Sequence, residues 1–205
     1  MSKKTLAVVF WVLSCTIAGS AQEIFTSKQW GLSMSLPKFW ISMDKKARDS
    51  ISDNYEFTEE ALKKILDGDK GSTLVTAYYF NQPGRAMAVY PQVQIEARRK
   101  GRVDFAVFKA AIIKSSDSLK TVFPDITVRD AREVEVSGIK SVAMTAEFTI
   151  KDTNDRVKRA RSRIYAVPLP NYFFQITLND GQDPDADFSR EFDALMNSMK
   201  IAKPL

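Results

Sequence analysis

The side chains able to do chemistry in this 205-residue chain are carboxylates, arginines, lysines, serines and tyrosines, because there is no His and only one Cys. Without imidazole there is no Ser-His-Asp triad, no Cys-His pair, no histidine base and no His-ligated metal. A single Cys makes neither an intrachain disulfide nor a thiolate zinc cluster. No GxSxG, P-loop or HExxH spacing occurs, and the run SSDSLK (Ser115 to Lys120) reads as a helix surface. Two kinds of chemistry remain. Paired acids flanking a glycosidic bond hydrolyse it with no histidine, so a carboxylate-dependent hydrolase acting on envelope glycans is one reading. Binding of anions by clustered cations is the other.

The cations are concentrated. Arg156, Lys158, Arg159, Arg161 and Arg163 form the densest cluster, and Arg98, Arg99, Lys100 and Arg102 a second. Together they read as one surface for an acidic partner, with Arg159, Arg161 and Arg163 as its centre. The alternative is a solvated strand face whose arginines pair with Glu133, Glu135 and Glu147. Nucleic acid is not expected as the partner, since Tyr165 is the one aromatic near that face and single-strand binders interleave several. The acidic run from Asp180 to Asp187 offers oxygen ligands of the kind Ca²⁺ takes. Phe188 stands where an EF-hand needs Gly, and acids just before a helix are explained by capping. No metal and no cofactor is expected. The aromatics Trp30, Phe39, Trp40, Tyr78, Tyr79, Tyr90, Tyr172, Phe173 and Phe174 read mainly as core, with an apolar ligand pocket as the alternative.

These groups sit behind an export address. Lys3 and Lys4 precede the apolar run Leu6 to Leu13, and small residues lead to Gly19-Ser20-Ala21. That is the layout of a secretory signal peptide cleaved after Ala21. The uncharged stretch from Thr5 to Gln22 falls short of the roughly 20 mainly apolar residues of a spanning helix. No later segment is apolar enough to span. Val12-Leu13-Ser14-Cys15 resembles a bacterial lipoprotein box, in which Cys15 would be acylated; bulky Leu13 fits it poorly, and removal of Cys15 with the leader is the preferred reading. The expectation is therefore a leader over 1–21, one domain over 22–205, and a periplasmic or extracellular location, with a membrane-anchored lipoprotein as the alternative. The formal charge, from 30 Lys+Arg against 25 Asp+Glu, is a modest +5, so the row of arginines more than the net charge is where an anionic envelope component or an acidic protein would dock.

The elements that position the cations follow from periodicity. Trp30, Leu32, Met34 and Leu36 alternate, which predicts a half-buried strand ending at Pro37. Phe57 and Thr58 start a helix that ends near Gly68. Strands follow over Thr73 to Phe80 and Met87 to Ala97, the second bent at Pro91. Phe105, Phe108, Ile112, Leu119 and Phe123 predict a helix capped by Asp104 and ended by Pro124. Four strands come next, over Ile126 to Val136, Ile139 to Ile150, Val157 to Val167 and Tyr172 to Leu178. A last helix spans Asp187 to Met199. A three-residue loop at Thr153-Asn154-Asp155 pairs Phe148 with Ala160, Met144 with Ile164 and Val142 with Ala166. It also sets Glu147 opposite Arg161 and Thr145 opposite Arg163. Register follows the apolar pattern, so one face is apolar under a helix and the other is polar, carrying Arg159, Arg161 and Arg163 in a row. Phe173 points away from Tyr172, Phe174 and Ile176, toward a second helix layer or an interface. Antiparallel strands with segregated helices make an α+β fold.

The leader followed by "LPKFW", the meander "VEVSGIKSVAMTAEFTIKDTNDRVKRARSRIYAVPLPNYFFQITL" and the ending "FSREFDALMNSMKI" resemble the PsbP-like and DcrB-like exported domains. The resemblance covers most of the chain beyond the leader and contains no catalytic motif. It implies an antiparallel sheet flanked by helices, an α-β-α sandwich, and a role in binding or assembly more often than in catalysis. The metal-linked histidines of PsbP proper have no counterpart here, so no photosystem role is carried over. An exported, non-enzymatic binding or assembly protein of the cell envelope is the functional expectation.

Overall fold

In the computed structural model, residues 23–28, 30–42, 73–84, 87, 89–151 and 154–202 are described. The expected leader, Cys15 and the helix expected from Thr58 to Gly68 lie outside the described residues. Strands β1 (Ile24–Ser27), β2 (Leu32–Ser35) and β10 (Lys200–Ile201) form a small sheet in the order β1-β2-β10. Seven strands form the main sheet: β3 (Trp40–Ser42), β4 (Thr73–Phe80), β5 (Gln92–Arg99), β6 (Thr127–Val136), β7 (Ile139–Lys151), β8 (Val157–Pro168) and β9 (Tyr172–Gly181). Their order is β3-β4-β5-β9-β8-β7-β6, and every neighbouring pair is antiparallel. Among the described residues the α-helices are α1 (Phe105–Ser115), α2 (Leu119–Val122) and α3 (Ser189–Ser198). This is the expected α+β architecture.

Helix α1 starts where Asp104 accepts the Val107 N–H at 2.9 Å, the expected cap. A 3₁₀ turn over Ser116–Ser118 then separates it from α2, so the single helix expected up to Phe123 is divided. There Ser115 and Ser116 turn their hydroxyls back to the carbonyls of Ile112 and Ile113, a competition with the helix ladder that serines commonly offer. Between β6 and β7 the turn is Ser137-Gly138 with both residues at positive φ, 52° and 74°, as a two-residue hairpin of the primed type requires.

The main sheet is covered on both faces. On one, Phe108 of α1 packs on Val142 and Ala166, with Phe105, Ile112 and Phe173 at the margin. Phe173 meets Phe108 at a ring distance of 5.4 Å, so it faces a helix layer as its parity predicts. On the other face, Val93, Ile95, Phe174, Ile176 and Leu178 pack against Phe192 and Leu195 of α3 and against Leu32 and Met34 of β2. Trp40 opens a short edge strand and stacks edge-on to Phe192 at 5.7 Å. Strand β10 pairs with β2, and its Ile201 N–H is bound by the Ser137 hydroxyl at 2.9 Å. The small sheet and α3 thus form one layer. Gly181 closes the end of β9 against the turn before α3. A Cβ there would stand 2.6 Å from that of buried Ala186, which leaves room for glycine alone.

Candidate functional site: the arginine face of β8

The β7–β8 register is the expected one: Phe148 pairs with Ala160, Met144 with Ile164, Val142 with Ala166, Glu147 with Arg161 and Thr145 with Arg163. The surroundings of the arginines differ from the expectation. A strand has two neighbours, and on its other side β8 pairs with β9, which brings Asp180 opposite Arg161. Arg161 grips Asp180 with two bonds, Nε to Oδ1 at 3.0 Å and Nη2 to Oδ2 at 2.7 Å. Its Nη2 also reaches Asp187 at 2.9 Å. Arg163 approaches Asp180 at 3.4 Å and donates to the Ser189 hydroxyl. Asp180 is fully buried, while the side chains of Arg161 and Arg163 are 19% and 14% exposed. The polar face is therefore no open row. It lies beside the start of α3, and its two inner arginines are committed to acids. Arg159 alone of the three is exposed, and its Nη2 bonds the Gln182 side chain at 2.8 Å.

Two acids of the run, Asp180 and Asp187, are explained by the same network. Asp180 accepts the buried Phe188 N–H at 3.0 Å, and Asp187 accepts the N–H and hydroxyl of Ser189. Both acids satisfy donors at the front of α3, but neither is its cap: the N-cap position is Phe188, which makes no side-chain cap bond. Among the described residues no three His, Cys, Asp or Glu side chains converge.

Electrostatics follow the contacts. Burial pulls the Arg161 guanidinium down, but the hydrogen bond and charge of Asp180 with those of Asp187 outweigh it, so Arg161 is held above its ordinary value. The Ser189 hydroxyl bond, aided by the Ser189 N–H and Arg161 against the opposing effect of burial, pulls Asp187 from 3.8 to about 2. A carboxylate held that low keeps its charge and is no proton donor near neutral pH. Its folded value lies below the unfolded one, so its stabilising contribution is complete above about pH 4 and is lost as pH falls toward 2. With 41% of the Asp187 side chain exposed, solvent moderates the effect. Asp187→Asn is accordingly expected to flatten the fall of stability between pH 4 and 2, checked by denaturant midpoints of both proteins across that range.

Beside the network opens a polar cleft of about 350 Å³, lined among others by Arg132, Thr145, Glu147, Tyr165, Ser189 and Asp193. Burial, and then the Asp193 charge, raise the Tyr165 phenol, which stays neutral and able to donate. Arg163 Nη1 is buried without a hydrogen-bond partner, and its guanidinium lies 5.3 Å from the Phe192 ring centre. Sequence reasoning placed Arg161 and Arg163 correctly on the strand but missed Asp180 as their partner. The signal available was the pairing of β8 with β9, which sets these residues opposite each other.

The second basic cluster is not brought to this face. Arg98 is paired with Phe173, and Phe173 with Pro168. Seven residues of strand at about 3.3 Å each put Pro168 about 23 Å from Arg161. The Arg98 guanidinium turns instead to Glu96 on its own strand at 2.7 Å. The expected single basic surface is thus divided between opposite ends of the sheet, because β9 runs antiparallel between the two strands that carry it.

No family model and no curated protein matches this sequence. Solved structures do. LpqN, described as involved in cell envelope biogenesis of Mycobacterium tuberculosis, superimposes with a TM-score of 0.51 at 10% identity, over 91% of this chain and 88% of that one. A protein of Bacteroides thetaiotaomicron VPI-5482 gives 0.50 at 14% identity, over 89% of this chain and 49% of that one. Cyanobacterial PsbP (CyanoP) from Synechocystis sp. PCC 6803 gives 0.49 at 12%, over 93% and 99%. The likeness is one of fold. No helix among the described residues is long and apolar enough to cross a membrane.

Proposed function

We propose that this chain is an exported, PsbP-like protein of the cell envelope that works by binding or assembly, not by catalysis. The observation that carries the reading is the commitment of the acids at the arginine face. Asp180 is buried under two guanidinium groups and Asp187 is held at about 2. Asp187, held ionised, cannot serve as the protonated general acid of a glycoside hydrolase, and the oxygens of Asp180 are taken up by Arg161, Arg163 and the Phe188 N–H. The leader read from Lys3 to Ala21 supports export, as does the envelope role stated for the fold neighbour LpqN. The partner is an anionic envelope component or an acidic protein. Arg159 meets it at the surface, and Arg161 and Arg163 fix the strand that presents Arg159.

The test is cosedimentation of the purified protein with phosphatidylglycerol vesicles and with neutral phosphatidylcholine vesicles at rising salt. Salt-sensitive binding to the anionic vesicles, weakened by Arg159→Gln, is the expected result, since exposed charges act through screened fields. Equal binding by Arg159→Gln, or binding indifferent to salt, overturns the assignment of Arg159. Release of sugar ends from envelope glycan, lost in Glu147→Gln or Asp193→Asn, overturns the non-enzymatic reading. Mass spectrometry of the protein from its host should find Gln22 first; an acylated N-terminal Cys15 would replace the soluble form by a lipoprotein.

A further inference from the structure

The far end of the sheet from the arginine network holds a different surface. An open groove of about 460 Å³ runs between the β8–β9 corner and the start of α1. Its lining is Val103, Phe105, Ile139, Pro168, Leu169 and Pro170, all apolar, with Lys100 as the single polar side chain. Leu169 is buried and ties the corner to the core, whereas Val103 is 43% exposed. This composition, an apolar trough with one convergent charge, and this size are those of small-molecule sites.

The charge around the trough is positive. The Lys100 ammonium stands 5.8 Å from the Phe108 ring centre and has no carboxylate partner among the described residues. Lys140 lies over Phe105 at 4.6 Å. The nearby acids are engaged: Glu133 bonds Lys109 and Lys140, and Asp104 caps α1. Arg102 is exposed in the same loop as Lys100.

The backbone decides what kind of chain fits. A peptide bound in extended form needs main-chain partners. Here the Lys100, Val103 and Leu169 N–H groups are spent on Asn171, Gly101 and Tyr172 carbonyls, at 3.1, 2.9 and 2.8 Å. Pro168 and Pro170 have no N–H. A second copy of the protein fits poorly as well, because a stable interface uses about 20–30 residues a side and the trough is a local feature. An alkyl chain needs no hydrogen bonds.

We propose that this groove binds a single-chain anionic amphiphile, a fatty carboxylate, with the alkyl chain along Val103, Phe105 and Pro168 and the head group on Lys100. The site is independent of the arginine face, so the two readings fail separately.

The probe is dodecanoate, titrated into the purified full chain below its micelle concentration and followed by calorimetry, with dodecyltrimethylammonium as the same chain carrying the opposite charge. Saturable binding of dodecanoate and much weaker binding of the cation are expected. A charge-assisted contact of about 1.5–3 kcal/mol corresponds to a loss of about tenfold or more in Lys100→Glu. Val103→Asp, which puts a carboxylate into the trough from an exposed position, should weaken binding at least as much. Arg159→Gln should leave it unchanged. Thermal unfolding of each variant establishes that the fold persists. Failure of dodecanoate to saturate, equal binding of the cation, or undiminished binding by Val103→Asp overturns the proposal. A concentration-dependent dimer dissolved by Val103→Asp would overturn it in favour of a second copy, and binding of bilayers without binding of free dodecanoate in favour of a membrane surface.

Discussion

Arg161→Gln and Arg163→Gln introduced together are expected to destabilise the protein by about 3–5 kcal/mol, the scale found when a buried charge loses its partners. Asp180 has no exposure and relies on these two guanidinium groups for its neutralisation; the Phe188 N–H is its remaining donor. For a chain of this size the loss corresponds to a fall of about 6–20 °C in Tm. Removing the charge at the same time, with Asp180→Asn in the same background, should recover much of it, because the cost lies in the stranded carboxylate. Arg159→Gln should stay within about 0.5 kcal/mol of the parent, as exposed positions do. Urea midpoints for the four proteins check the series. If the double variant is as stable as the parent, Asp180 is not a structural charge and the arginines are available to a ligand after all.

Phe192→Ala is expected to cost about 3–5 kcal/mol, the range for an aromatic removed from a tight core. Phe192 is fully buried, with the Trp40 ring at 5.7 Å on one side and the Arg163 guanidinium at 5.3 Å on another. Its loss opens a cavity between α3 and the main sheet and withdraws the ring that covers Arg163. The effect should therefore couple to Arg163→Gln, the two together costing less than their sum by about 0.5 kcal/mol or more. Simple addition in a double-mutant cycle would show that the helix layer and the ion network are independent.

How much was legible in the sequence depends on how local each feature is. Alternation and turn residues marked β4 and the meander of β6 to β9 to within a few residues, because strand faces and the Ser137-Gly138 turn are specified by neighbours in sequence. The β7–β8 register followed from apolar matching across one loop. Short pieces escaped: β1, β3 and β10 have two to four residues, too few for a period to register, and β3 and β10 exist through pairing with strands distant in sequence, whereas β1 pairs with its neighbour β2. The break between α1 and α2 also escaped, since the apolar spacing runs through it and serine back-bonding imposes it.

By itself the sequence determined that histidine and disulfide chemistry are excluded, that the fold is α+β, and that Arg159, Arg161 and Arg163 share one face of one strand. What those arginines do was decided by tertiary structure. Strand order placed β9 between β8 and β5, which set Asp180 against Arg161, laid α3 beside the same face and carried the second basic cluster to the opposite end of the sheet. The apolar groove at Lys100 likewise joins the end of β5, the start of α1, the start of β7 and the β8–β9 corner. Periodicity reports the direction in which a side chain leaves its own element. The charge or ring it meets comes from another element, and that is set by the packing of layers, where burial and the pairing of buried charge outweigh local preference.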